Sequence, residues 1–94
     1  MLSLDEQKLL LEIARKALEA AVKGEPPPPV NVAALPETLR RQGASFVTLT
    51  VHGSLRGCIG TLEPTQPLAL DVRERAAEAA LEDPRFPRVR PIEL

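Results

Sequence analysis

Apolar residues recur at three- and four-residue spacing early in the chain. Leu10, Ile13, Ala14, Ala17, Leu18 and Ala21 share one face, and Glu12, Arg15, Lys16, Glu19 and Lys23 lie largely off it. That period predicts an amphipathic helix. Ser3, followed three residues later by Glu6, supplies a capping box at its head, and Gly24 suits the left-handed residue that closes a helix. The prolines Pro26 to Pro29 forbid continuation and predict a stiff, extended connector. A short helix is expected between Pro36 and Gln42, ended by Gly43.

The pattern then changes from helical to alternating. Val47, Leu49 and Val51 alternate with Thr48 and Thr50, and an apolar run resumes at Leu55, so residues 44 to 62 read as two strands joined at His52-Gly53-Ser54. Two registers fit. With His52-Gly53 as the turn, Val51 faces Ser54 and Leu49 faces Arg56; with a three-residue loop, Val51 faces Leu55 and Val47 faces Ile59. Both put Arg56 and Cys58 on one face, because strand side chains repeat every two residues. A second helix is predicted from Gln66 to Glu82, with Thr65 as its cap and Pro67 in its first turn. Its expected buried stripe is Leu68, Val72, Ala76, Ala79 and Ala80, and Asp83-Pro84 ends it. These elements make an α+β fold, an antiparallel hairpin packed by two main amphipathic helices. No internal repeat is evident, and residues 1–94 read as a single domain.

Composition narrows the picture. With no Trp, no Tyr and two Phe, the core has to be built from Leu, Val, Ile and Ala, which bury less area each than aromatic residues do. Domains of this size bury only about 60–70% of their unfolded surface, so the expected core is thin. The formal charge is −1 and the pI about 5.8. No basic excess drives phosphate binding, and a general nucleic-acid binder is disfavoured. One Cys and one His allow neither an internal disulfide nor a four-ligand zinc site. No metal or cofactor is expected, and a reducing, cytoplasmic setting is. The charged stretch after Met1 and the lack of an apolar run near the ~20 residues a bilayer requires predict neither a signal peptide nor a membrane span.

The stretch that asks for a special reason is Leu55-Arg56-Gly57-Cys58-Ile59-Gly60. Glycine weakens a strand interior and marks a bulge or the close approach of another backbone or a ligand. Gly57 and Gly60 either make room for the second helix or let a ligand reach bare backbone. Arg56 requires a carboxylate, a phosphate or an aromatic face if it is buried, and the choice is between a salt bridge to Asp71, Glu63 or Glu74 and a ligand role. Cys58 is the candidate nucleophile, with Arg56 as the cation that would favour its thiolate. The competing expectation is a buried, unreactive cysteine, since Leu55 and Ile59 are apolar and His52 occupies the turn. Arg85 with Phe86, followed by Arg88 and Arg90, forms a second anion-binding candidate.

The hexapeptide LRGCIG resembles the signature of the AMMECR domain family. The likeness extends to Phe46-Val47-Thr48-Leu49, Gly53, Pro67-Leu68, Asp71-Val72 and Asp83-Pro84-Arg85-Phe86-Pro87, roughly residues 43 to 94. Arg88 stands where many members carry a second proline, and Arg75 where asparagine is more usual. The resemblance implies an intracellular α+β domain without an agreed molecular activity, linked by genomic association to Memo-type and radical-SAM proteins. It also implies that this chain carries the N-terminal half of a typical domain. Sheet edges would then lack their usual partners, and the chain is expected to self-associate or to require a second polypeptide. Two functions stay open. One is a ligand-binding or enzyme-like domain whose cleft holds Arg56, Gly57, Cys58, Gly60, Arg85 and Phe86 around an anionic small molecule or nucleotide. The other is a non-catalytic interaction module in which the motif is a packing device.

Overall fold

The computed structural model of the chain describes residues 2–94. Helix α1 spans Leu4–Lys23. Ser3 Oγ accepts the Glu6 N–H and the Glu6 carboxylate accepts the Ser3 N–H, so both halves of the expected capping box form. Gly24 closes the helix at φ 73°, its N–H directed to the carbonyls of Ala20 and Ala21. The proline connector runs without regular structure and is tied to the body of the protein by Arg73, whose Nη1 donates to the Pro28 carbonyl. A 3-10 turn at Val32–Ala34, unforeseen in the sequence, leads into α2, Glu37–Arg40. Leu39 of α2 is fully buried, and Thr38 Oγ1 donates to the Glu6 carboxylate, pinning α2 to the head of α1.

Strands β1 (Phe46–Val51) and β2 (Ser54–Gly60) form an antiparallel pair. His52 and Gly53 turn the chain with φ of 52° and 80°, the two positive values that a type I′ hairpin requires. Beside the turn, Val51 pairs with Ser54 and Thr50 with Leu55; beyond it, Leu49 pairs with Gly57, Thr48 with Cys58 and Val47 with Ile59. Arg56 is the extra residue between the two sets, a bulge that shifts the register by one. Each of the two registers the sequence allowed therefore holds on one side of Arg56.

Helix α3 spans Leu68–Leu81. It starts two residues later than expected, with Pro67 rather than Thr65 at its N-cap. Gly43 N donates to Gln66 O and Leu68 N to Arg41 O, so a short antiparallel contact fixes where the helix begins. α3 packs on α1 and on both strands. The core is Ala17 and Leu18 of α1, Ala76 and Ala80 of α3, and Val89 of the tail, with Val47, Leu49 and Leu94 against it. Leu68 is only half-buried, whereas Ala69 and Asp71, outside the expected stripe, are buried. Among the described residues no helix is long and apolar enough to cross a membrane.

Candidate functional site

The bulge in β2 sends Arg56 to the C-terminal tail. Its Nε donates to Glu93 Oε2 at 2.8 Å and its Nη2 to Glu93 Oε1 at 2.9 Å, a two-pronged carboxylate pair. Nη1 donates to the Pro87 carbonyl at 2.7 Å, and Nη2 also to the Arg88 carbonyl at 3.1 Å. One guanidinium thus fastens both limbs of the tail, and the two side chains are 14% and 17% exposed. The Arg56 hydrogen bonds, followed by the Arg90 N–H and charge attraction, bring the Glu93 carboxyl down to about 2, and the same pair raises Arg56. The expected partners Asp71, Glu63 and Glu74 do not meet Arg56. Glu93 takes that place because the tail folds back along β2.

A second carboxylate closes the same strand edge one residue pair further on. Asp83, its side chain 3% exposed, accepts the Cys58 N–H at 2.9 Å through Oδ2. It also accepts the Arg85 N–H at 3.0 Å through Oδ1, while the Arg85 guanidinium closes back onto both oxygens. Arg85 is the main reason the Asp83 carboxyl lies far below the usual carboxylate range. The Arg85 guanidinium also lies 5.4 Å from the centre of the Phe86 ring, within cation–π reach. Arg85 and Phe86 do come together, around Asp83.

Gly57 is buried and faces α3, where a Cβ would run into the Ala79 carbonyl oxygen. Gly60 meets a different neighbour: the Phe46 ring covers the space a side chain would take. Cys58 is half-buried rather than buried, and its sulfur lies 3.3 Å from Thr48 Oγ1. Arg56 and Cys58 are thus engaged with different partners, and the bulge breaks the simple alternation that paired them. No group of three or more potential metal ligands occurs among the described residues.

A further polar network centres on a carboxylate of α3. Asp71, buried in α3, accepts the Ser45 N–H at 2.9 Å and the Ser45 hydroxyl at 2.6 Å. Thr61 Oγ1 and Gln66 Nε2 add longer contacts, and Arg75 stands 4.0 Å away. Burial works against ionisation of Asp71, and the Ser45 and Gln66 hydrogen bonds with the Arg75 charge overcome it, leaving the carboxyl below its ordinary value. Arg75 Nε lies 2.9 Å from Glu78 Oε1 as an ion pair, without a hydrogen bond between them. This network joins both ends of the hairpin to α3. Its only local signal was a carboxylate one turn inside a helix.

Three concavities surround these contacts. A cleft of about 230 Å³ between α1, β1 and the tail is lined by Arg15, Leu18, Thr50, Arg56 and Glu93. A more apolar groove of about 400 Å³ beside β1 includes Leu10, Leu11, Phe46 and Val72. The third, about 280 Å³, lies between α1, α3 and Pro27, away from β2.

The chain resembles known proteins across nearly its whole length. It is 45% identical over 96 residues to a protein of Methanothermobacter thermautotrophicus, covering 99% of this chain and 48% of that one. A Thermotoga maritima protein is 57% identical over 60 residues, covering 62% and 34% respectively. The crystal structure of an uncharacterized protein from Pyrococcus horikoshii superposes with a TM-score of 0.79 at 36% identity, over 89% of this chain and 43% of that chain. The chain spans about half the length of the curated relatives it matches. The family model described as AMMECR1 matches residues 11–94, which take in the hairpin, α3 and the tail that Arg56 fastens, and the chain accordingly belongs to the AMMECR1 family.

Proposed function

We propose that this chain acts in the cytoplasm as a non-catalytic interaction module, in which Leu55–Gly60 anchors the tail and seats α3. The observation that carries this reading is that the chemistry-bearing groups of the strand are already committed within the molecule. Arg56 holds Glu93 and two tail carbonyls. Arg85 is folded onto Asp83, Gly57 lies against Ala79 and Gly60 under Phe46. Cys58 has the Thr48 hydroxyl, not a general base, as the hydrogen-bond neighbour of its sulfur among the described residues.

A second reading, binding of an anionic small molecule or nucleotide by Arg56, Gly57, Gly60, Arg85 and Phe86 with Cys58 alongside, is favoured by one observation. The Glu93 carboxylate lies in the cleft beside Arg56 and Arg15, where it occupies the position of an anion that a ligand phosphate would have to displace. Calorimetric titration of the purified chain with inorganic phosphate and with a nucleoside diphosphate separates the two. The interaction-module reading predicts no saturable heat at millimolar ligand; saturable binding abolished by Arg56→Lys would replace it with the second.

A further inference from the structure

We infer that a cavity between α1, residues 28–35 and α3 binds a small organic acid, a single carboxylate on an apolar body the size of a benzene ring. None of its lining residues belongs to the hairpin or the tail, so the inference goes beyond the function proposed for them. It starts from an arginine. Arg56, Arg73 and Arg75 are the half-buried arginines of the chain. Arg56 holds Glu93, and Arg75 stands among Asp71, Glu74 and Glu78. Arg73 meets no carboxylate among the described residues, and its one hydrogen bond runs from Nη1 to the Pro28 carbonyl at 3.1 Å. A guanidinium carries further N–H donors and no acceptor, and taking it out of water is costly unless an anion or an aromatic face meets it. The demand that Glu93 satisfies for Arg56 is left open at Arg73.

The surroundings set the sign, character and size of what fits. Lys16 lines the same cavity, and Lys16 and Arg73 bring two positive charges against the single negative charge of Glu12. Neither cation is within ion-pair distance of a carboxylate among the described residues, Glu12 included. Arg73 also borders the 280 Å³ concavity, but there Glu25, Glu74 and Glu78 give the opposite sign. An anion is therefore accommodated on the Lys16 side. Leu9 and Ile13 of α1, with Pro29 and Leu35 beyond the helix, make the rest of the wall apolar, so a strongly hydrated anion such as phosphate would lose its water without replacement. The cavity measures about 180 Å³, and an apolar cavity of about 150 Å³ admits benzene. A helix, about 10 Å across with its side chains, is too wide for that space, whereas a single ring bearing a carboxylate fills it.

Titration of the isotope-labelled full chain with sodium benzoate, followed through the backbone amide shifts, tests the inference. Saturable binding at about millimolar benzoate is expected, the range for a ligand of so few atoms, with the shifts centred on Leu9, Ile13, Lys16 and Leu35. Benzylamine, with the same body and the opposite charge, and inorganic phosphate, without the body, are expected to give no saturable shifts there. Arg73→Gln removes the charge while keeping a donor for the Pro28 carbonyl. Lys16→Glu, at an exposed position of α1, reverses a charge without touching the proline connector. Each is expected to weaken benzoate by about tenfold or more, the loss of one charge-assisted hydrogen bond, with unchanged helical circular dichroism. The absence of saturable benzoate binding overturns the inference, as does binding that both variants retain or that benzylamine matches. A chain that ignores benzoate and binds an acidic peptide through Arg73 also overturns it, and assigns the guanidinium to a protein partner instead.

Discussion

At the scale of single residues, the unexpected result is how completely two carboxylates account for the strand's chemistry. Glu93 and Asp83 both lie below their ordinary range in the folded chain, so the unfolded chain binds more protons than the folded one in mild acid. Stability from the Arg56–Glu93 pair is therefore fully present above pH 4.5 and is lost as pH falls from 4.5 toward 2, the interval between the ordinary and the folded value of Glu93. Thermal unfolding followed from pH 6 to pH 2 is expected to show this decline, and Glu93→Gln to flatten part of it; an identical acid limb in the variant would contradict the assignment. The arginine was legible as needing a partner. Its partner was not, because Glu93 is 37 positions away in a segment without periodicity, and only the folded tail brings it near. The cysteine's reading changed as well, since the outward face it shares with Thr48 leaves the sulfur half-exposed.

At the scale of elements, α1 was legible almost to the residue, because its period and both caps are local properties. The hairpin was legible as a hairpin but not in register. Choosing a register from the pattern presumes unbroken pairing, and the bulge at Arg56 exists to reach a tail that the pattern does not describe. The glycines sort by what they face. Gly57 abuts a helix backbone that is fixed by its own hydrogen bonds, and Gly60 an aromatic ring that is 62% exposed. Gly57→Ala is expected to destabilise the chain by about 1–3 kcal/mol through overpacking, and Gly60→Ala by less, since the Phe46 ring can turn aside. Urea unfolding of the two variants measures this, and equal or reversed effects would show that α3 is not seated on Gly57.

At the scale of the whole molecule, a thin alanine-rich core is supplemented by polar fastenings: Asp71 holds the base of the hairpin to α3, Asp83 closes the outer edge of β2, and Arg56 holds the tail. Each depends on a pairing distant in sequence, which is why composition pointed to a thin core without revealing what reinforces it. The central claim is that Arg56 is a tail anchor, and a double-mutant cycle between Arg56 and Glu93, using Arg56→Ala, Glu93→Ala and the pair in urea unfolding, tests it most directly. The account predicts that each single substitution destabilises and that the double variant loses clearly less than their sum. Strict additivity, or single variants as stable as the wild type, would contradict it.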